Sequence, residues 1–580
     1  MNFSRKVTLS FAIMVSLTGC INPKSLSVDE IAESALADVT QIYAEQEPID
    51  GPLTLSDAMA RALKYNLNNR VKLMEQAVAH QSVEMAKLDM LPMLGVSAGY
   101  LNRNNVDASE SVSIFTGRQS LEPSTSQDRE RYIADLRFTW NLLDFGVSYF
   151  QAKQNADRFL ISQKAREKVM LKLLQQVRSA YWRAVIMQRM ERDVNAILKS
   201  VKESLRDLKE VREQQLYTPL FALNDIRLLV ETQDQLVGLK ESISIANVEL
   251  TTLINVPPTT KLKLATSQKF KAIPVIPNKI EEMELTALIN SSDYATEMYN
   301  VRIDQLESRK ALTRLLPGIE FSYAGNFTSN SFLWNSLWGE LGLRLAGDLL
   351  KLITIPDILE YAEVSKHLAK SRRLAVNTAV IAGVHLAWQD YTNRIERLKQ
   401  VSFLNEIDND IAKLTRNAEK NRSGSEVEAI QSEFKAFNSQ LHYLVNYALT
   451  QESFGSFLVS LGSNPVPDNY QHLSIQELST ILSERNKLWE QGKLEILTPD
   501  DMKKRIRLKK KKESQRSWWE KLLERPVTMP AVKYTTLKSS KAKPVVKKKE
   551  PQSKTLKVKK ATPNVIEMDS SYQDGYFVVE

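Results

Sequence analysis

Residues 148–217 contain neither Pro nor Gly, and Val169, Leu173, Val177, Tyr181 and Val185 recur there at every fourth position among Gln, Lys, Arg and Glu. Such spacing keeps one apolar stripe on a single helix. At about 1.5 Å per residue, some 65 residues reach roughly 100 Å, several times the width of a compact domain. A second Pro-free stretch, 357–422, answers the first and carries small residues at Ala375, Ala379, Gly383 and Ala387 ahead of Tyr391, a stripe that allows close helix approach. Both long helices end in sharp turns, at Tyr217-Thr218-Pro219 and at Arg422-Ser423-Gly424. From each turn a shorter helix of about 33 to 36 residues returns, stopping near Val256-Pro257-Pro258 and Gly462-Ser463-Asn464-Pro465.

Upstream of each long helix the pattern changes period. Leu53–Leu91 and Glu281–Leu316 read as Pro-free helices ended by Pro92 and Pro317. Thr54 or Ser56 can cap the first, with Asp57 at the positive end of its dipole. Beyond each proline the apolar residues alternate: Leu94, Val96, Ala98 and Tyr100 in the first copy, Ile319, Phe321 and Tyr323 in the second. After polar loops, Leu136, Phe138 and Trp140, then Leu341, Leu343 and Leu345, alternate again with polar or charged residues. The plan is helix, strand, strand, long helix, return helix, written twice, with a further short helix over Ser474–Trp489. Tyr100, Trp140, Trp334 and Trp338 near the strand ends suit membrane interfaces.

Beyond the N-terminus no run of 18 apolar residues occurs, so a membrane would be crossed by strands and not by helices. At the N-terminus, Arg5 and Lys6 precede the apolar stretch Val7–Leu17, which has the length of an export signal. It runs into Leu17-Thr18-Gly19-Cys20, which resembles the lipobox of bacterial lipoproteins, with Cys20 as the lipidated residue. Ile21 follows where an Asp would favour retention in the inner membrane, so the resemblance points to the outer one.

The net charge of +9 is segregated. Residues 503–580 carry 22 Lys/Arg against 8 Asp/Glu, whereas residues 20–502 carry 54 against 61. The Pro-interrupted basic tail predicts an extended arm, and in an exported protein its partners are cell-wall carboxylates or anionic headgroups, or none, and not nucleic acid. The sequence has no nucleotide-binding, zinc-protease or nucleophile-elbow motif. Its five histidines never share a helix face at ligand spacing, and its one cysteine excludes multi-Cys zinc modules. No catalytic residue, metal or cofactor is implied.

Together, Leu53-Thr54-Leu55-Ser56-Asp57-Ala58, the Leu91-Pro92 and Leu316-Pro317 transitions, Trp140-Asn141-Leu142-Leu143-Asp144-Phe145-Gly146 and the Gly424-Ser425 return resemble the TolC-type outer-membrane efflux protein family. The resemblance implies an α plus transmembrane-β fold: a trimeric barrel of twelve strands, four per chain, continued by a helical periplasmic cylinder. It implies a passive, non-enzymatic exit duct for drug efflux or type I protein secretion, a homotrimer working with a periplasmic adaptor and an inner-membrane transporter. Carried onto this sequence, the gate falls at Glu426, Glu428 and Glu433. The adaptor-contacting tips fall at Tyr217, Thr218 and Pro219 and at Arg422, Ser423 and Gly424. The expected organisation is signal peptide 1–19, lipidated linker 20–52, repeats 53–260 and 281–465 joined by linker 261–280, an equatorial segment 466–502 and the tail 503–580. The alternative is a lipid-anchored envelope spacer or cell-wall-binding protein without a pore.

Overall fold

A computed structural model describes residues 25–44, 46–120, 122–213, 219–265, 273–276, 279–424 and 426–514. The signal segment, Cys20, Tyr217, Thr218 and the tail from residue 515 lie outside them.

The helices are α1 (Val28–Ile42), α2 (Leu55–Tyr65), α3 (Leu67–Leu88), α4 (Leu142–Glu213), α5 (Pro219–Leu253), α6 (Ile280–Asn290), α7 (Ser292–Thr313), α8 (Ile355–Lys420), α9 (Glu426–Ser460), α10 (Ile475–Glu490) and α11 (Pro499–Ser514). The strands are β1 (Met93–Asn102), the two-residue β2 (Ala108–Ser109) and β3 (Ser124–Thr125), β4 (Glu130–Asn141), β5 (Gly318–Thr328) and β6 (Leu337–Ala346). The duplication is therefore real at the level of elements, and α4 and α8 are the two long rods, 72 and 66 residues long.

β1, β4, β5 and β6 form one antiparallel sheet in that order. The helices next to it lie in the matching order, α3, α4, α7, α8; further along the rods the order becomes α5, α4, α9, α8. Short helices thus stack end to end beside the long ones, and α3 and α5 form one flank of the protomer while α8 forms the other. The apolar core is a string of clusters along the rods. The largest gathers α2, α4, the end of α5 and α10 around Val177, Leu250 and Leu478. Its counterpart gathers α6, α8 and α9 around Met283, Tyr391 and Phe457.

Two tyrosines tie this middle region to its connecting segments. The Tyr181 hydroxyl donates to the carbonyls of Leu53 (3.1 Å) and Ala265 (3.2 Å), and the Tyr391 hydroxyl to that of Pro274 (2.6 Å). Burial pushes both phenols well above their ordinary range. Arg178, fully buried on α4, donates to Asn486 Oδ1 on α10 (2.6 Å) and Gln451 Oε1 on α9 (3.4 Å), and burial pushes it down to about 10.

Several sequence expectations are corrected. The helices expected over 53–91 and 281–316 are each broken in two, at Asn66 and Ser291, whose backbones turn extended (ψ 120° and 119°) and whose side chains cap the next helix. The first of them is capped by Thr54, not Ser56, in a capping box with Asp57. The first rod begins at Leu142 rather than Ser148 because Asn141 caps it directly from the strand, accepting from Leu143 N (2.9 Å). Within the segment 20–52 expected as the lipidated linker, Val28–Ile42 form α1, and the tail expected as extended from 503 is helical to Ser514. The small-residue stripe on α8 is divided: Ala387 packs on the core of α6 and α9, whereas Ala375 and Ala379 are exposed and, among the described residues, nothing lies within 4 Å of a Cβ built at Gly383.

Candidate functional site

The register of the sheet sorts every strand residue onto one of two faces. Val96 opposes Leu136, Phe138 opposes Tyr323, and Phe321 opposes Leu343, so the alternating apolar positions of all four strands share one face. That face is bare: Val96 is 80% exposed, Leu341 70% and Leu343 77%. In water a contiguous surface of this kind is unfavourable, and lipid is the medium that suits it. The strands, 10 to 12 residues long, match the length a tilted strand needs to cross a bilayer. Tyr100 and Tyr132 pack at the loop end (5.1 Å between rings) and Trp140 with Phe145 at the helix end (6.0 Å), an aromatic belt at each margin.

The opposite face is polar. It carries Arg131, Asp135 and Arg137 on β4, Glu320 on β5, and Glu340 and Arg344 on β6, three cations and three anions. Glu320 and Arg344 are register partners, and Asp135 accepts from Ser97 and lies 4.0 Å from Arg137. β1 and β6 are the ends of the sheet, each with one row of backbone groups left unpaired within the chain. Such edges are not tolerated in hydrocarbon. Among the described residues no helix is long and apolar enough to cross a membrane.

Just below the sheet, α4 and α7 meet through polar side chains. Lys310, nearly buried, donates to Gln151 Oε1 and Gln154 Oε1 (3.0 Å each) and pairs with Glu307 (2.5 Å). Although burial pushes the Glu307 carboxyl up, the hydrogen bonds from Lys310 and Gln154 outweigh it and hold it below its ordinary range. Buried Asp157 is gripped by Arg302 through two hydrogen bonds, that from Nε at 2.8 Å.

At the far end of the rods, α8 stops in a turn that reverses the chain. Ser423 N donates to Ala418 O (2.9 Å) and Arg422 N to Glu419 O (2.8 Å), with Arg422 in the left-handed region at φ +58°. Arg422, Ser423 and Gly424 are all exposed, as a contact surface requires. Pro219 opens α5 and Glu426 opens α9, though their side chains, like Tyr217 and Thr218, lie outside the described ones. Glu428 is exposed, whereas Glu433 is engaged by Arg416 of α8 through two hydrogen bonds, with Nε at 2.5 Å. Those bonds raise the Arg416 pKa further. The structure thus separates the three acids: Glu433 ties the hairpin together, and Glu428 faces solvent.

One residue of this end was missed. Asp225 on α5 is buried, its Oδ2 has no hydrogen-bond partner, and burial pushes its pKa up. The signal was present, because Asp225 continues the buried stripe Leu229, Thr232 and Leu236 by one helical step.

Residues 60–256 match the family model described as outer membrane efflux protein. No curated protein matches the chain by sequence. Among solved structures, the Campylobacter jejuni CmeC outer membrane channel aligns with a TM-score of 0.56 at 13% identity, over 82% of this chain and 98% of that one. The Neisseria gonorrhoeae MtrE outer membrane channel in its open state gives 0.54 at 15%, over 70% and 88%. The outer membrane protein VceC of Vibrio cholerae gives 0.53 at 13%, over 70% and 96%. At these identities the likeness is one of fold, and the fold is that of outer-membrane channels.

Proposed function

We propose that this chain, with the efflux-protein sequence pattern over residues 60–256 and the channel fold over most of its length, is the outer-membrane exit duct of a tripartite export system. The observation that carries the reading is the amphipathic sheet with two unpaired edges. Four strands cannot close, since barrels need at least about eight. Three copies joined β6 to β1 close at twelve strands, a head-to-tail contact that makes a ring. The flanks support the same joint. α3 runs into β1 with Leu67, Val71, Met74 and Val78 exposed along one stripe, and α8 follows β6 with Tyr361 and Val364 exposed. These stripes would cover one another between copies, extending the barrel as a helical cylinder.

The duct is a conduit and not a catalyst. Its partners are an inner-membrane pump and a periplasmic adaptor docking at the hairpin tips, and its cargo is small toxic molecules or unfolded protein, as the pump selects. Cys20 carries the lipid anchor, and with Glu433 engaged by Arg416, the open charge of the gate comes from Glu426 and Glu428. The charges beyond residue 514 suit cell-wall carboxylates. Light scattering of the detergent-solubilised protein should give a trimer, and planar bilayers should show discrete conductance steps. A monomer with no conductance would instead support the lipid-anchored spacer. Replacing Cys20 by Ser should abolish labelling by radioactive fatty acid; labelling that persists removes the anchor assignment.

A further inference from the structure

Two helices beside the middle of the rods have apolar residues that no other described residue buries. α1 buries none of its residues, and Val28, Ile31, Leu36 and Val39 are each more than half exposed. It carries Asp29, Glu30, Glu33 and Asp38 and no Lys or Arg. α11 has the opposite charge, with eight Lys/Arg between Lys503 and Lys512 against Asp500, Asp501 and Glu513, and with Ile506 and Leu508 more than half exposed. A capping box of Thr498 with Asp501 (2.7 Å) fixes where α11 starts. Lys503 pairs with Asp500 (3.1 Å), but short isolated helices are marginal and like charges at i, i+4 weaken them further. A surface of opposite charge would stabilise it.

The two helices belong to opposite flanks. α1 is held at its C-terminal end by Asn255, two residues past the end of α5, whose Nδ2 donates to Ile42 O (3.1 Å) while its own carbonyl accepts from Gln46. α11 follows Leu497, whose N–H donates to Thr286 Oγ1 on α6 (2.9 Å), and α6 packs on α8. In a ring closed flank to flank, the α8 side of one copy meets the α5 side of the next. With 15 and 16 residues the helices are about 22 and 24 Å long, matched in length as well as opposed in charge.

We propose that α11 of one copy docks along α1 of the next, an acidic–basic helix pair with an apolar seam that ties neighbouring protomers together around the cylinder. This rests on the ring closure proposed above. The test uses full-length protein prepared as mixed trimers of ordinary and nitrogen-15-labelled chains, treated with a carbodiimide that joins carboxylates to lysines in contact. Mass spectrometry should find peptides of mixed isotope linking 28–42 to 503–514. Their yield should fall several-fold at 1 M salt, where screening acts within about 3 Å. Reversing α1 alone (Asp29→Lys, Glu33→Lys, Asp38→Lys) should abolish the link, and adding Lys504→Glu, Arg505→Glu and Lys510→Glu should restore it. A trimer by light scattering that yields no such peptide, or only same-isotope ones from α11 folding onto its own chain, overturns the docking. A preparation that is not trimeric overturns the ring itself.

Discussion

Asp225 is a buried carboxyl and Glu307 a partly exposed one, and their surroundings send them in opposite directions. Asp225 has burial without a partner, so its folded pKa lies above its unfolded value. Its favourable contribution is complete below the unfolded pKa and is lost as pH rises through the folded one, leaving a buried carboxylate that weakens the α4–α5 hairpin at neutral pH. Asp225→Asn should therefore slow amide exchange along α5 at neutral pH, with the gain fading in mild acid; equal exchange in both proteins at neutral pH would refute this. Glu307 has hydrogen bonds from Lys310 and Gln154, so its folded pKa lies below its unfolded value. Its contribution is present above the unfolded pKa and lost as pH falls through the folded one. Glu307→Gln should loosen the α4–α7 contact at neutral pH and change little in strong acid, read by exchange of the α7 amides. The burial of Asp225 was legible from its place on the stripe of Leu229, Thr232 and Leu236, whereas its lack of a partner and the hydrogen bonds to Glu307 depend on which face of a neighbouring helix arrives opposite the carboxyl.

Four helix ends use the same left-handed cap with three kinds of residue: Asn255 at φ +58° after α5, Arg422 at +58° after α8, Gly462 at +65° after α9 and Gly492 at +73° after α10. Gly and Asn tolerate that region, whereas for an ordinary side chain it costs roughly 1–2 kcal/mol. Arg422→Gly should accordingly stabilise the second hairpin tip by about 1 kcal/mol, seen as slower exchange of the amides around 418–424. No slowing would mean that the Arg side chain makes up the difference through its own contacts. The turn at Arg422 could be foreseen, since it interrupts a long uniform pattern beside a Gly. The breaks at Asn66 and Ser291 could not, because no Gly or Pro marks them and the apolar pattern continues through; they exist because α2 and α6 must lie on the core of the middle region while α3 and α7 run up to the sheet. The helix at α11 was hidden for another reason. Charge density argued for an extended chain, while Lys and Arg are in themselves good helix formers.

Threefold closure would multiply every wall charge, so the position of uncompensated charge decides what the whole duct favours. On the polar face of the sheet, cations and anions are equal in number and interleaved, with Glu320 opposite Arg344 and Asp135 beside Arg137. Balanced pairs at short range leave little field along the axis of an open lumen. The second hairpin tip differs. Arg416 neutralises Glu433, and Glu428 remains exposed close to Glu426 at the start of α9. Three copies of those two acids around a narrow tip would favour cations and hold multivalent ones. In planar bilayers, Glu426→Gln with Glu428→Gln should thus reduce cation selectivity and relieve block by trivalent ions. The exchange of Glu320→Arg with Arg344→Glu should leave both properties unchanged, because it preserves the balance of the barrel wall. Selectivity that follows the barrel exchange and ignores the tip variants would move the constriction from the hairpin tips to the sheet.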